Sequence, residues 1–392
     1  MSGLRKKLKL PLPRAFILAA AVSLALSALF FALASYSGSG LYDQRAAEYW
    51  GGAAAKAKPS PTPTPEETET PDETASIDAA AASAAPLGSL KSSEMGYSQV
   101  SAFLAKGTRF GYESMMRLRQ GLEEKYVADG IDAPKDGARL WIDAASGTGN
   151  AVVTGGKNGS SSVTVTGIMG DFFFFHPATL VSGQYINTGE ASKDYVMLDL
   201  NAAWRVFGGY DVAGMSVEVG GIPCVVAGVF EKPSGDEAES SIYASFELLE
   251  KISAAAELTA LDFVLSTPIS GYGMQAVEGL LTAVPAGERV LIENSLRFTR
   301  GSMLAMLGDL GTYVERKNAV ALPYWENAAR EEALRGAVFL LLSLIFAALP
   351  LVAVIILLVK LYRRRGLFIP WVVRKAKAIG ERRSGDAERA DV

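Results

Sequence analysis

The chain has 392 residues, 49% of them hydrophobic, with a single cysteine, Cys224, and a single histidine, His176. That composition excludes an internal disulfide, thiolate metal clusters, CxxC redox chemistry and His-rich zinc sites. The formal charge of −4 hides two basic ends (Arg5, Lys6, Lys7, Lys9 and Arg14; then Arg363, Arg364, Arg365, Arg374, Lys375, Lys377, Arg382 and Arg383), which leave the middle at about −15. So acidic a middle argues against nucleic acid as a partner, because phosphate binding needs Lys and Arg.

In chain order, the basic segment 1–14 is followed by "FILAAAVSLALSALFFALAS", an uncharged apolar run within residues 15–36. About twenty such residues span a bilayer as a helix, and the basic run before them marks the cytoplasmic side. A cleaved signal peptide ending at Ala32-Leu33-Ala34 is the alternative; the block is long for a signal, and an uncleaved anchor is the reading taken. Residues 37–91 contain "KPSPTPTPEETETPDETASIDAAAASAAPLG", with almost no large apolar side chains, which predicts a disordered Pro/Thr/Glu/Ala linker.

An α+β domain is expected over 92–322. Val100, Phe103, Leu104, Phe110, Met115, Leu118, Leu122 and Tyr126 recur at roughly helical spacing and predict a helix over 98–128, weakened at Gly107 and Gly111. "ARLWIDA" and "NAVVTG" read as two short strands separated by "SGTG", and "SSSVTVTGIMG" and "DYVMLDL" as further strands. "NAAWRVFGG" reads as a short helix with Asn201 as N-cap and Gly208 as its stop. "MSVEVGGIPCVVAGVF" is a hairpin turning at Gly220-Gly221, with Pro223 in an edge position. "IYASFELLEKI" gives a strand and helix, "LDFVLST" a strand, and helical patterns cover 272–283 and about 295–317. Pro323 opens a stalk helix over 323–336, which at 1.5 Å per residue reaches about 20 Å. It acts either as a rigid transmitter of motion or as a simple tether. It leads into "AVFLLLSLIFAALPLVAVIILLV", the second span within 337–361, where Pro350 predicts a kink. Lys360 and Arg363 to Arg365 mark this end as cytoplasmic too. The tail 362–392, with Phe368, Ile369, Trp371 and Val372 among basic residues, reads as an interfacial helix on the inner leaflet or as a solvated basic tail.

The stretch "VTVTGIMGDFFFFHPATLVSGQYI" followed by "DYVMLDLNAAWRVFGGYDVAGMSVEVGGIPCVVAGVF" resembles the periplasmic core domain of MacB-type and FtsX-type ABC transporter permeases. The matching residues are Gly167, Asp171, Phe172, Gly183, Val196, Leu198, Ala202, Phe207, Gly208, Asp211, Gly214, Val217, Val219, Gly221, Val225, Val226, Gly228 and Val229. The resemblance implies an α+β extracytoplasmic domain between two transmembrane helices in a bacterial cell membrane, beside an ATP-driven machine. It also implies partners: the membrane, a separate ABC ATPase and a second permease-like chain. Such permeases carry four transmembrane helices, and this chain shows two. Its nearest approach to a P-loop, "AVVTGGKN", has Ala151 for the first Gly and Asn158 for Ser/Thr, and fails the motif.

The four phenylalanines Phe172–Phe175 are either core or an exposed patch for a hydrophobic substrate or an extracellular protein. Read as extended chain, they alternate faces, and core packing is the reading taken. His176 is taken as structural, GxSxG is absent, and Glu123/Glu124 and Glu331/Glu332 read as solvated helix faces. No catalytic, cofactor-binding or metal-ligating residue is assigned, no cofactor is expected, and the chain is read as a non-enzyme. The functional expectation is a permease-like membrane subunit that couples a cytoplasmic ATPase to an extracytoplasmic domain, with both termini in the cytoplasm. The alternative is a membrane-anchored binding, sensor or scaffold module.

Overall fold

A computed structural model describes residues 13–50, 96–131, 139–156, 159–186, 194–232, 239–308 and 320–388. The linker expected within 51–91 lies outside the described residues. The chain divides into two compact units, Gly38–Ala333 and a smaller one made of Met1–Ser37 with Leu334–Val392.

The smaller unit pairs helix α1 (Arg14–Tyr36) with the greater part of the last helix, α10 (Tyr324–Glu388). Both are long and apolar enough to cross a membrane. Serines set the pairing. Ser23 donates to the carbonyl of Phe346 (2.6 Å), Ser27 to that of Ser343 (2.9 Å), and Ser343 back to that of Ser27 (3.0 Å). Small hydroxyl side chains allow two helices to approach closely and also satisfy hydrogen-bonding groups where water is absent. Phe30 stacks on Phe346 at 5.6 Å beside them. Leu18, Leu29, Ile345, Leu351 and Leu358 are exposed on the other faces, as lipid contact requires. Helix α10 runs on through Pro350 and the basic tail without a break in its helical assignment.

The larger unit is built on one mixed ten-stranded sheet. In chain order the strands are β1 (Gly96–Leu104), β2 (Trp141–Gly155), β3 (Gly159–Gly170), β4 (Thr179–Gly183), β5 (Tyr195–Asp199), β6 (Ser216–Val219), β7 (Ile222–Glu231), β8 (Ser241–Ser245), β9 (Ala260–Thr267) and β10 (Arg289–Glu293). Their order across the sheet is β10-β1-β9-β2-β3-β8-β5-β7-β4, and β6 pairs with both β2 and β7. The path β2-β3-β8-β5-β7-β6 therefore closes on itself as a six-stranded ring. The Gly220-Gly221 turn joins β6 to β7 with φ of 59° and 83°, values that favour glycine.

Both faces of the sheet are covered, and side chains alternate between two cores. Val100, Leu104, Val196, Leu198, Phe263 and Leu265 face one core, packed by α3 (Tyr112–Ala128), α5 (Leu200–Phe207), α6 (Phe246–Ile252) and α7 (Tyr272–Leu280). Phe103, Ile142, Met197 and Val264 face the other, with α2 (Ala46–Trp50), α4 (Phe172–Phe175) and Trp325 of α10. Two short helices, α8 (Asn294–Arg297) and α9 (Arg300–Gly308), follow β10.

The structure corrects several sequence expectations. The helix expected over 98–128 is a strand, β1, and then a shorter helix, α3. Gly107 and Arg109, both at positive φ, separate them. The two short strands around "SGTG" are one 15-residue strand, β2. A Cβ on Gly147 would lie 2.0 Å from the carbonyl oxygen of Glu257, so the glycine belongs to a close backbone approach and not to a turn. Asp199 and not Asn201 caps α5, accepting from the amide of Ala202 at 2.6 Å. The helix expected from 295 is interrupted at Phe298-Thr299 and preceded by the unforeseen β10. Residues 38–50, expected to lead into a linker, fold into the larger unit.

Candidate functional site

Phe172–Phe175 form a single helical turn and not an extended segment. The first and last of four helical residues share a face, so Phe172 and Phe175 are buried while Phe173 and Phe174 are partly covered. Phe172 meets Tyr243 (5.6 Å between centroids) and Trp325 (6.3 Å); Phe173 lies against Tyr185 (4.7 Å) and Phe174 against Trp50 (5.7 Å). Phe172 and Phe175 are core, the outcome expected, by a different backbone route, and Phe173 and Phe174 pack at its margin.

The turn delivers His176 to the centre of a buried polar chain. Its Nδ1 is 2.9 Å from Asp43, in the turn Tyr42–Gln44 that follows α1, and its Nε2 is 2.9 Å from Asp262 of β9. The ring stacks on Trp325 at 4.2 Å. Ser101, the cross-strand neighbour of Asp262, donates to that carboxylate and accepts from Asn294 Nδ2 at 2.8 Å. The amide oxygen of Asn294 accepts from Arg297 at 3.3 Å, and Arg297 binds both oxygens of Glu326 at 2.7 and 2.8 Å. Arg330 adds a bond to Glu326 at 2.8 Å. Gln99 binds residues 38–50 from beneath, accepting from the amide of Ala46 at 2.7 Å and donating to the carbonyl of Asp43.

The electrostatics follow from the partners. An ionised carboxylate only accepts, so an imidazole between two of them donates from both nitrogens and carries a positive charge. Burial alone pulls the His176 pKa down; the hydrogen bond and charge of Asp262, then those of Asp43, outweigh it and raise it to about 9. Three cations (His176, Arg297, Arg330) then balance three carboxylates (Asp43, Asp262, Glu326) in one cluster. The serine of the cluster binds an aspartate and the histidine binds only carboxylates, an order different from that of a hydrolytic triad, where serine binds histidine. What this arrangement does is join segments: it ties the turn after α1, strands β1 and β9, α8 and the first turns of α10.

Sequence reasoning treated His176 as structural and missed the other members of the chain. One signal was present: Asp262 interrupts the otherwise apolar "ALDFVL", and a carboxylate in a strand buried on both faces needs a partner. Cys224 is buried within the ring strands, and burial first, then the charge of Asp194, push its thiol up to about 11.

A mixed-sheet domain flanked by two helices long and apolar enough to cross a membrane is the architecture of this chain. Residues 109–284 match the MacB-like periplasmic core domain, so the larger unit is similar to that domain. No curated protein matches the chain. Among solved structures, the chain is similar to the extracellular domain of the noncanonic ABC-type transporter YknZ from Gram-positive bacteria, with 15% identity and a TM-score of 0.36 over 50% of this chain and 99% of that one. It is also similar to the periplasmic region of MacB from Actinobacillus actinomycetemcomitans, with 12% identity and a TM-score of 0.38 over 55% and 92%. A third is a domain of a putative permease protein from Porphyromonas gingivalis, with 13% identity and a TM-score of 0.28 over 52% and 97%.

Proposed function

We propose that the chain is a permease-like membrane subunit of an ABC transporter assembly, coupling a separate cytoplasmic ATPase to the MacB-like domain. The observation that carries this reading is the MacB-like domain over 109–284 in a chain that also holds two membrane-length apolar helices. The basic residues at both ends support a topology with both termini in the cytoplasm and the domain outside, because Lys and Arg are retained on the cytoplasmic side. In this reading 1–14 and 362–392 are cytoplasmic, 15–36 and 337–361 are the spans, and 323–336 is the stalk through which motion reaches 92–322. A rigid helix transmits displacement along its length, and α10 begins in the polar cluster, at Glu326, and continues into the apolar stretch. A second permease-like chain would complete the assembly.

The test is a mild-detergent pull-down of the tagged chain from its native membranes, with mass spectrometry of what co-purifies. The expected result is an ABC ATPase, lost when residues 360–392 are deleted. Recovery of extracellular partners alone would replace this reading with an anchored binding module.

A further inference from the structure

Two segments enter the larger unit from the apolar helices, residues 38–50 after α1 and the start of α10, and they are held very differently. The α10 side buries Trp325, Ala329 and Ala333, and it adds the two-pronged Arg297–Glu326 pair with both side chains out of water. Residues 38–50 bury chiefly Gln44, Ala46 and Ala47, with Trp50 half-covered against Phe174 at the far end of the segment. Apart from Trp50 and the two alanines, their hold is polar: Gln99 on the backbone of Asp43 and Ala46, a long 3.4 Å bond from Arg297 to Gln44, and the charge of Asp43 on His176. Within the His176 clasp the two arms differ too. The Asp262 side chain is 5% exposed and held again by Ser101, whereas that of Asp43 is 26% exposed. Water reaches Asp43, so this carboxylate can exchange its partner for solvent at low cost, which Asp262 cannot.

We propose that the Asp43–His176 bond is the detachable arm of a clasp, and that the chain has a second state in which residues 41–50 leave the domain while His176 stays bound to Asp262. The domain then keeps α10 fixed and releases only the α1 side. This inference rests on the larger unit alone and does not require the ATPase.

Hydrogen exchange of the full chain in detergent tests it, comparing wild type with Asp43→Asn. The expected result is exchange about tenfold or more faster in residues 41–50, with 260–267 and 324–333 unchanged, because only local opening is eased. Unchanged protection in 41–50 would overturn the proposal, and so would equal loss in all three segments, which would make the clasp part of one cooperative core. Wild type supplies the same test without substitution, by raising the pH through about 9, where His176 loses its charge. The other charged groups facing the site are Asp43, Asp262, Glu326, Arg297 and Arg330. Two tyrosines also face it, and burial above all pushes Tyr243 of β8 up to about 12 and raises Tyr324 of α10 as well. After correction for the intrinsic rate, 41–50 should lose more protection than 260–267 and 324–333; an equal loss in all three segments counts against the clasp.

Discussion

Glu326 has no exposed surface, and Arg297 is its two-pronged partner. Removing Arg297 leaves the buried Glu326 with Arg330 as its remaining partner and one carboxylate oxygen stripped of its bond to Arg297, so Arg297→Met should destabilise the larger unit by about 3 kcal/mol. Denaturant unfolding followed by tryptophan fluorescence would measure it. His176 makes a pH-dependent contribution of known sign. Folding raises its pKa from 6.5 to about 9, so the folded chain holds a proton that the unfolded chain gives up. The stabilisation is whole below about pH 6.5 and is lost as the pH rises through about 9, a change on the order of 3 kcal/mol. A His176→Gln variant should lack this fall in unfolding curves measured across the same window. The need for a cation near Asp262 is legible in "ALDFVL". Its source, a histidine 86 residues away, is not, because only the sheet and the turn at Phe172–Phe175 bring them together.

Among elements, the phenylalanine turn gives the sharpest expectation. Phe172→Ala and Phe175→Ala remove fully buried rings and should each cost about 3–5 kcal/mol, while Phe174→Ala should cost roughly half that, read from thermal unfolding. A loss of partner binding without loss of stability would instead mark the tetrad as a contact surface. In the α1–α10 pair, Ser27→Val with Ser343→Val should weaken association by about 1 kcal/mol. The readout is a reduced crosslinking yield between cysteines placed at Phe30 and Phe346, in a Cys224→Ser background. The hairpin β6–β7, the strand-helix pair β8–α6 and the start of α10 were legible because each has a turn or cap residue and one clear period. Strand β1 was not. Sheets covered on both sides bury every side chain, so "SQVSAFL" loses its alternation and mimics a helix face. Strand β2 was divided at glycines that serve close packing, since Gly147 and Gly167 lie opposite each other beneath α6.

For the molecule as a whole, the two apolar helices and the family of the domain between them could be read from the sequence, because length, charge and a long ordered motif carry them. The return of residues 38–50 to the domain could not, since its hold is a few dispersed polar contacts, two alanines and the half-covered Trp50. Nor could the ring, whose closure depends on three residue pairs between β2 and β6.

The position of β1 has a consequence for the order in which the domain can assemble. Its two neighbours, β9 and β10, come more than 150 residues later in the chain. A chain made from its N-terminus can form the β2–β3 hairpin and close the ring of strands before either neighbour exists. Throughout that time "GYSQVSAFL" has both hydrogen-bonding edges bare and the apolar side chains of Val100, Phe103 and Leu104 uncovered. Bare, apolar strand edges pair readily with other chains. The nascent protein is thus most prone to aggregate before residue 260 emerges, and a holding chaperone that masks extended apolar segments would act in that interval.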